Sequence, residues 1–109
     1  MTIEARYAQL AERMKRIPGV THVTEGKGFG SSGQLKVQGR IFAMLVRGEL
    51  VLKLPRDRVD ELIATGHGKR FDAGKGKPMR EWFVLSPTSS KRWHPLAEEA
   101  MRFVARNTG

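Results

Sequence analysis

The chain contains no cysteine. Disulfide bridges, thiol nucleophiles and cysteine-ligated metal sites are therefore excluded, and the fold has to rest on a packed core. Long hydrophobic runs are missing as well. The longest purely apolar stretch, residues 41–46, is far short of the roughly 20 residues of a membrane-spanning helix. The first residues mix Glu4 and Glu12 with scattered arginines and hold no central apolar block of the signal-peptide kind, so the expectation is a cytoplasmic protein without membrane contact. Acidic residues are scarce: 11 Asp and Glu face 20 Lys and Arg, for a net charge of +9.

What is present suits one folded domain over residues 1–109. The hydrophobic fraction is 39%, with five phenylalanines, two tryptophans and one tyrosine, enough for a single core and too much for a disordered chain. The positive charge is concentrated. Between positions 26 and 48 stand Lys27, Lys36, Arg40 and Arg47 with no acid. Between positions 66 and 80 stand Lys69, Arg70, Lys75, Lys77 and Arg80 against Asp72 alone. A field of that sign attracts phosphate-bearing or acidic partners, although solvated lysines also serve simply to keep a small protein soluble.

Hydrophobic periodicity supplies the elements. Ile3, Tyr7, Leu10, Met14 and Ile17 recur at helical spacing, with Thr2 as the N-cap and Pro18-Gly19 as the stop. Residues 20–24 alternate as a strand, and a loop rich in glycine (Gly26, Gly28, Gly30, Gly33) follows. Residues 35–54 read as a three-stranded meander with two-residue turns at Gln38-Gly39 and Arg47-Gly48. That register puts Leu45 opposite Leu50, Ala43 opposite Leu52 and Ile41 opposite Leu54 on a core face. Phe42, Met44 and Val51 then lie beside Lys53 on the outer face, an apolar surface suited to a covering helix or a partner subunit. Pro55 begins a helix with Val59, Leu62 and Ile63 as its buried stripe, and Thr65-Gly66 ends it. Residues 69–80 read as a basic connector, 81–85 as a strand, and a last helix beginning between Ser90 and His94 buries Leu96, Ala100, Phe103 and Val104.

No catalytic constellation stands out. Gly28-Phe-Gly-Ser-Ser-Gly33 matches the dinucleotide fingerprint in letters, but it runs into a strand and not into the helix whose N-terminus would face the pyrophosphate. His22, His67 and His94 are far apart, and none has a metal-ligand spacing with a carboxylate. His67, between two glycines, reads as exposed. No cofactor and no metal are expected. Lys75 and Lys77 sit between glycines whose amides can turn toward an anion. Trp82, beside this region, suits either stacking on a base or core filling.

Several stretches carry a family resemblance: Gly39-Arg-Ile-Phe-Ala43, Leu50-Val-Leu-Lys-Leu-Pro55, Ala64-Thr-Gly66, Phe71-Asp-Ala-Gly74, Lys77-Pro-Met79, Glu81-Trp82, and Trp93 followed by Pro95-Leu96-Ala97. In order and spacing they resemble the TfoX N-terminal domain family and the related YjbR (MmcQ) group, over most of the chain. The resemblance implies a single-domain member with a secretion-chaperone-like, YjbR-like α+β architecture, a two-layer sandwich of an antiparallel sheet of about five strands with three helices. It implies no catalytic residues, and a DNA-binding label by analogy.

The expectation is thus a small basic non-enzymatic binding module, open to a regulatory role. Its nucleic-acid or anion contacts would come from Lys69, Arg70, Lys75, Lys77, Arg80, Lys27 and Lys36. The alternative is a protein-interaction module or homodimer using Phe42, Met44 and Val51. A phosphate-ligand binder or enzyme is the third reading.

Overall fold

Thr2 starts the first helix as its spacing predicts: the hydroxyl oxygen accepts a hydrogen bond from the Ala5 amide at 3.0 Å, satisfying one donor of the first turn. The computed structural model describes residues 2–23, 33–71 and 79–106, with Met79 and Arg80 as backbone alone. Lys27, Lys75, Lys77, the Arg80 side chain and most of the first glycine loop lie outside the described residues. Three helices, α1 (Ile3–Met14), α2 (Arg56–Ala64) and α3 (Trp93–Arg106), accompany six strands: β1 (Val20–Val23), β2 (Gln34–Val37), β3 (Arg40–Val46), β4 (Glu49–Lys53), β5 (Gly68–Phe71) and β6 (Met79–Leu85). The strands form one antiparallel sheet in the order β1-β2-β3-β4-β6-β5.

Both expected turns form. Gln38 and Gly39 have φ of 52° and 82°, and Arg47 and Gly48 have 50° and 77°. Positive φ at both central residues is the type I′ geometry whose twist matches that of antiparallel strands. The Arg47-Gly48 turn fixes the β3–β4 register, with Val46 opposite Glu49, Leu45 opposite Leu50, Met44 opposite Val51 and Ala43 opposite Leu52.

All three helices cover the same face of the sheet. Tyr7, Leu10, Ala11 and Met14 of α1, Val59 and Leu62 of α2, and Trp93, Leu96, Ala97, Ala100 and Val104 of α3 share one core with Leu35, Val37, Ala43, Leu45, Leu50, Leu52, Phe83 and Leu85. Helix α3 lies over β2 to β4, and α2 over β5 and β6. The result is a two-layer α+β sandwich. Phe103 is half-buried at the margin of this core.

Three details depart from the sequence expectations. The sheet has six strands instead of about five, because Lys69 and Arg70 belong to β5 and not to a connector. Four residues with one large apolar side chain give no period-2 signal. What makes the strand is pairing with β6 and the glycine at its start. A Cβ at position 68 would press into the Val84 carbonyl oxygen and lie 2.6 Å from Cζ of Phe83, so glycine alone lets β5 approach. Second, Phe42 does not face outward. The β2–β3 register runs Leu35 opposite Ala43 but Lys36 opposite Ile41, so Phe42 is an extra residue in a β-bulge. The bulge turns Phe42 to the helix side together with Ala43, where it is fully buried. Ile41, set opposite Lys36, is half-exposed and does not extend the β3–β4 ladder to Leu54. Third, His67 is half-buried and its Nδ1 lies 2.9 Å from Oγ of Ser89.

Candidate anion-binding face

The side of the sheet away from the helices has its own small apolar cluster. Met44, Val46, Val51, Phe71 and Val84 are buried there, with Trp82 half-buried against them. Met44 and Val51 therefore lie on the face the sequence assigns them, yet expose only 4% and 0% of their surface. Little of either remains for a partner to cover.

Strand alternation decides which cations share this face. Leu35 and Val37 point to the helices, so Lys36 between them points away; Leu52 and Leu54 do the same for Lys53. Lys69 stands opposite Val84 of the outer cluster, whereas Arg70 stands opposite Phe83 of the helix-side core. Arg47 lies in the β3–β4 turn and borders the same outer surface. Among the described residues the face thus has four basic side chains, Lys36, Arg47, Lys53 and Lys69, around an apolar floor, and Glu49 is the one described acid that borders the cleft in it. Lys36 and Lys53 are two strands apart, as are Lys53 and Lys69, which at sheet spacing is about 10 Å across the strands for each pair. Nζ of Lys53 stands 5.7 Å from the centre of the Trp82 ring, within cation–π range.

Ion pairing separates the two layers. Every salt bridge among the described residues involves a helix or its cap: Lys15 with Glu12 at 2.8 Å, His94 with Glu98 at 3.2 Å, Arg102 with Glu98 at 3.3 Å, and the pairs of Arg58 and Arg70. Arg58 on α2 binds Glu99 on α3 through Nε to Oε1 at 2.8 Å and Nη2 to Oε2 at 3.2 Å, and also pairs with Glu61. The hydrogen bond to Glu99, joined by those from Glu61, raises the Arg58 pKa against the opposing effect of burial. Arg70 donates to Asp60 of α2. Of the two adjacent cations proposed from sequence, Lys69 therefore belongs to the outer face, while Arg70 lies on the helix side and braces α2 through Asp60. Among the described residues no salt bridge reaches Lys36, Arg47, Lys53 or Lys69.

On either side of residues 24–32 stand Val23 in β1 and Gly33 just before β2, and on either side of residues 72–78 stand Phe71 in β5 and Met79 in β6. Strands β1 and β5 are the two edges of the sheet, five interstrand steps or about 24 Å apart.

A cleft of about 200 Å³ opens on the outer face between the β3–β4 turn and β5, lined by Val46, Arg47, Glu49, Val51, Lys69, Arg70, Phe71 and Val84. Sequence reasoning did not single out Arg47, Glu49 or Lys53 as site residues. The available signal was the alternation Glu49-Val51-Lys53, which puts all three on one face once the turn is fixed.

Elsewhere, the described residues hold no group of three or more His, Asp or Glu side chains able to take a metal, and no helix among them is long and apolar enough to cross a membrane. Among the described residues Tyr7 is the one ionisable side chain deep in the core. Its hydroxyl donates toward the carbonyl oxygens of Gly33 at 3.2 Å and Ala43 at 3.5 Å, and burial raises its pKa well above the usual phenol value against a lesser lowering by the Leu35 backbone. No family model matches the chain, and neither a curated protein nor a solved structure matches it.

Proposed function

We propose that the protein is a nucleic-acid-binding module of the non-enzymatic type, and that its outer sheet face takes the phosphate backbone. The observation that carries this reading is the charge segregation just described. Acids and cations are interspersed on the helices, whereas among the described residues Glu49 is the one acid beside Lys36, Arg47, Lys53 and Lys69 on the sheet side. Basic side chains free of carboxylates can exchange condensed counterions for phosphates, which is the main source of backbone affinity. A sheet face with a half-exposed aromatic also suits single strands, whose bases stack on such rings. Trp82, with Lys53 beside it, is that aromatic. Lys27, Lys75, Lys77 and Arg80 join the proposal through their charge and their glycine-rich surroundings.

The test is fluorescence anisotropy with labelled single-stranded oligonucleotides across a salt series. The triple variant Lys36→Glu, Lys53→Glu, Lys69→Glu is expected to flatten the logarithmic salt slope by about 0.7 for each phosphate of a single strand that is no longer neutralised. Arg13→Glu, Arg16→Glu, at the exposed C-terminal end of α1 and just beyond it, is the control, because it reverses charge on the opposite layer. An equal flattening in both variants would show a diffuse attraction and sink the sheet face as the interface. Absence of oligonucleotide binding by the parent protein at low salt would sink nucleic acid as the partner.

A further inference from the structure

The register of the sheet orders the outer face into rows that cross the strands. One row is unbroken from edge to edge: Val23, Gln34, Met44, Val51, Val84 and Lys69 stand opposite one another in turn. Its middle, Met44, Val51 and Val84, is buried floor, at most 4% exposed. The next row lies two residues further along β2, β4 and β6, about 7 Å away. It carries Lys36 on β2, opposite Ile41 of β3, and Lys53 on β4, opposite Trp82 of β6. Lys36 and Lys53 share this row because the residues just before them, Leu35 and Leu52, both stand opposite Ala43. Unlike the floor, all four of these side chains are half-exposed.

A chain of phosphates has two directions open to it on this surface. Along β4 the outward side chains are Lys53, Val51 and Glu49, a path that starts on a cation and ends on a carboxylate. Across the strands the path runs from Lys36 to Lys53, over Trp82 and on to Lys69, which stands opposite Val84 and so diagonal to Trp82. That path meets three cations, one aromatic ring and no acid among the described residues. Arg47, in the β3–β4 turn, stands at the Glu49 end and off this path. Repulsion between phosphate and the Glu49 carboxylate therefore selects the second direction.

We infer that a single strand of nucleic acid crosses this face perpendicular to the β-strands, with its phosphates on Lys36, Lys53 and Lys69 and one base stacked on Trp82. The inference rests on the nucleic-acid reading above and adds a direction and a length to it. From β2 to β5 are four interstrand steps, about 19 Å. At about 3.4 Å per stacked nucleotide that is at most about six nucleotides, and fewer where bases unstack. Stacking accepts any base, so the path carries no sequence preference. A duplex keeps its base faces inside the stack, so it can use the lysines but not Trp82.

Two measurements test it. Amide NMR of the parent chain, bound to an oligodeoxythymidine of about six nucleotides with a nitroxide at one end, reads the path without any variant having to fold. A label at one end is expected to broaden Thr21 and Lys36, and a label at the other end Lys69 and Phe71. A split between Lys53 and the Arg47-Glu49 pair would mean that the strand runs along β4. Equal broadening of all these residues from either end would mean that it has no fixed path. Either result overturns the inference while leaving phosphate attraction standing. In anisotropy, Trp82→Ala is expected to weaken single-strand binding about tenfold and to leave a duplex with the same number of phosphates unaffected, while Trp82→Phe retains most of the affinity. An equal loss on strand and duplex would show that Trp82 acts only through the fold, and no loss on the single strand would show that no base stacks there; both overturn the inference. Failure of the parent to bind any oligonucleotide would overturn the nucleic-acid reading, and the path with it.

Discussion

The two faces of one sheet use basic residues in opposite ways. Toward the helices, arginines act as braces: Arg58 joins α2 to α3 through Glu99, Arg70 joins β5 to α2 through Asp60, and Arg6 lies 4.3 Å from the centre of the Trp93 ring to join α1 to α3. The first and last of these link elements distant in sequence, and planar guanidinium groups suit that task because they engage a carboxylate or a ring with several atoms at once. Away from the helices the charge comes mainly from lysines, without salt bridges among the described residues. A cation that holds the fold together is already occupied by a carboxylate. One left on the outer face keeps its capacity for an external anion. The contrast makes stability and binding separable by mutation.

The strongest way to break the contrast is to remove what both faces share. Strands β5 and β6 put Phe83 and Leu85 in the helix-side core and Val84 and Phe71 in the outer cluster. Gly68→Ala forces a methyl group against the Val84 carbonyl oxygen and the Phe83 ring. We expect about 3 kcal/mol of lost stability in chemical denaturation, the upper range for overpacking, together with loss of oligonucleotide binding. A Gly68→Ala protein of parent stability would mean that β5 adjusts freely and that its position does not define the cleft.

That glycine also marks the limit of what the sequence discloses. The Gln38-Gly39 and Arg47-Gly48 turns, the Thr2 cap and the three helical stripes were legible because each depends on residues close together in the chain. The β-bulge at Phe42 was not, since a bulge is a property of the β2–β3 register and Phe42 suits either face by its own chemistry. Strand β5 was hidden for a related reason: its residues, Gly-Lys-Arg-Phe, alternate in side-chain direction but not in hydrophobicity. The separate fates of Lys69 and Arg70 follow from that strand geometry. Within a loop the two are equivalent cations; within a strand they point to opposite faces, and Asp60 captures only one. The basic windows announced an attraction for anions, but the gathering of Lys36, Arg47, Lys53 and Lys69 on one face required the fold.

Tyr7→Phe tests the helix-side core from within. The phenol donates toward two carbonyl oxygens of the sheet, so its loss should cost about 1.5 kcal/mol at neutral pH, the upper end for a hydrogen bond whose acceptors stay buried. The pH dependence distinguishes this from a packing effect. Burial raises the folded-state pKa, so below the unfolded phenol value of about 10 both states hold the proton and the stabilisation is whole. Above it the unfolded chain releases the proton while the folded chain retains it, and the parent loses stability as pH rises. Tyr7→Phe lacks that loss, so the gap between the two proteins should narrow above about pH 10. Urea denaturation of both proteins across that range checks it, and because Tyr7 is the single tyrosine, ultraviolet titration reads its ionisation directly. A gap constant with pH would mean that the phenol titrates alike in both states.

The smallest effects sharpen the contrast most directly. Arg58→Ala removes a two-point bond between helices and should cost about 1 kcal/mol, the upper figure for partly exposed ion pairs, and leave oligonucleotide affinity unchanged. Lys53→Ala is its counterpart across the sheet. Its stability change should stay within about 0.5 kcal/mol, as for surface positions outside any bonded network. Its effect belongs to binding: one phosphate fewer neutralised, a salt slope flatter by about 0.7 on a single strand, and weaker stacking where the cation no longer stands beside Trp82. Paired denaturation and anisotropy measurements place each variant on two axes. If Lys53→Ala instead destabilised the fold as much as Arg58→Ala and left binding intact, Lys53 would be a brace like the arginines, held by the Trp82 ring in place of a carboxylate. The division of labour between the two faces would then fail at its centre.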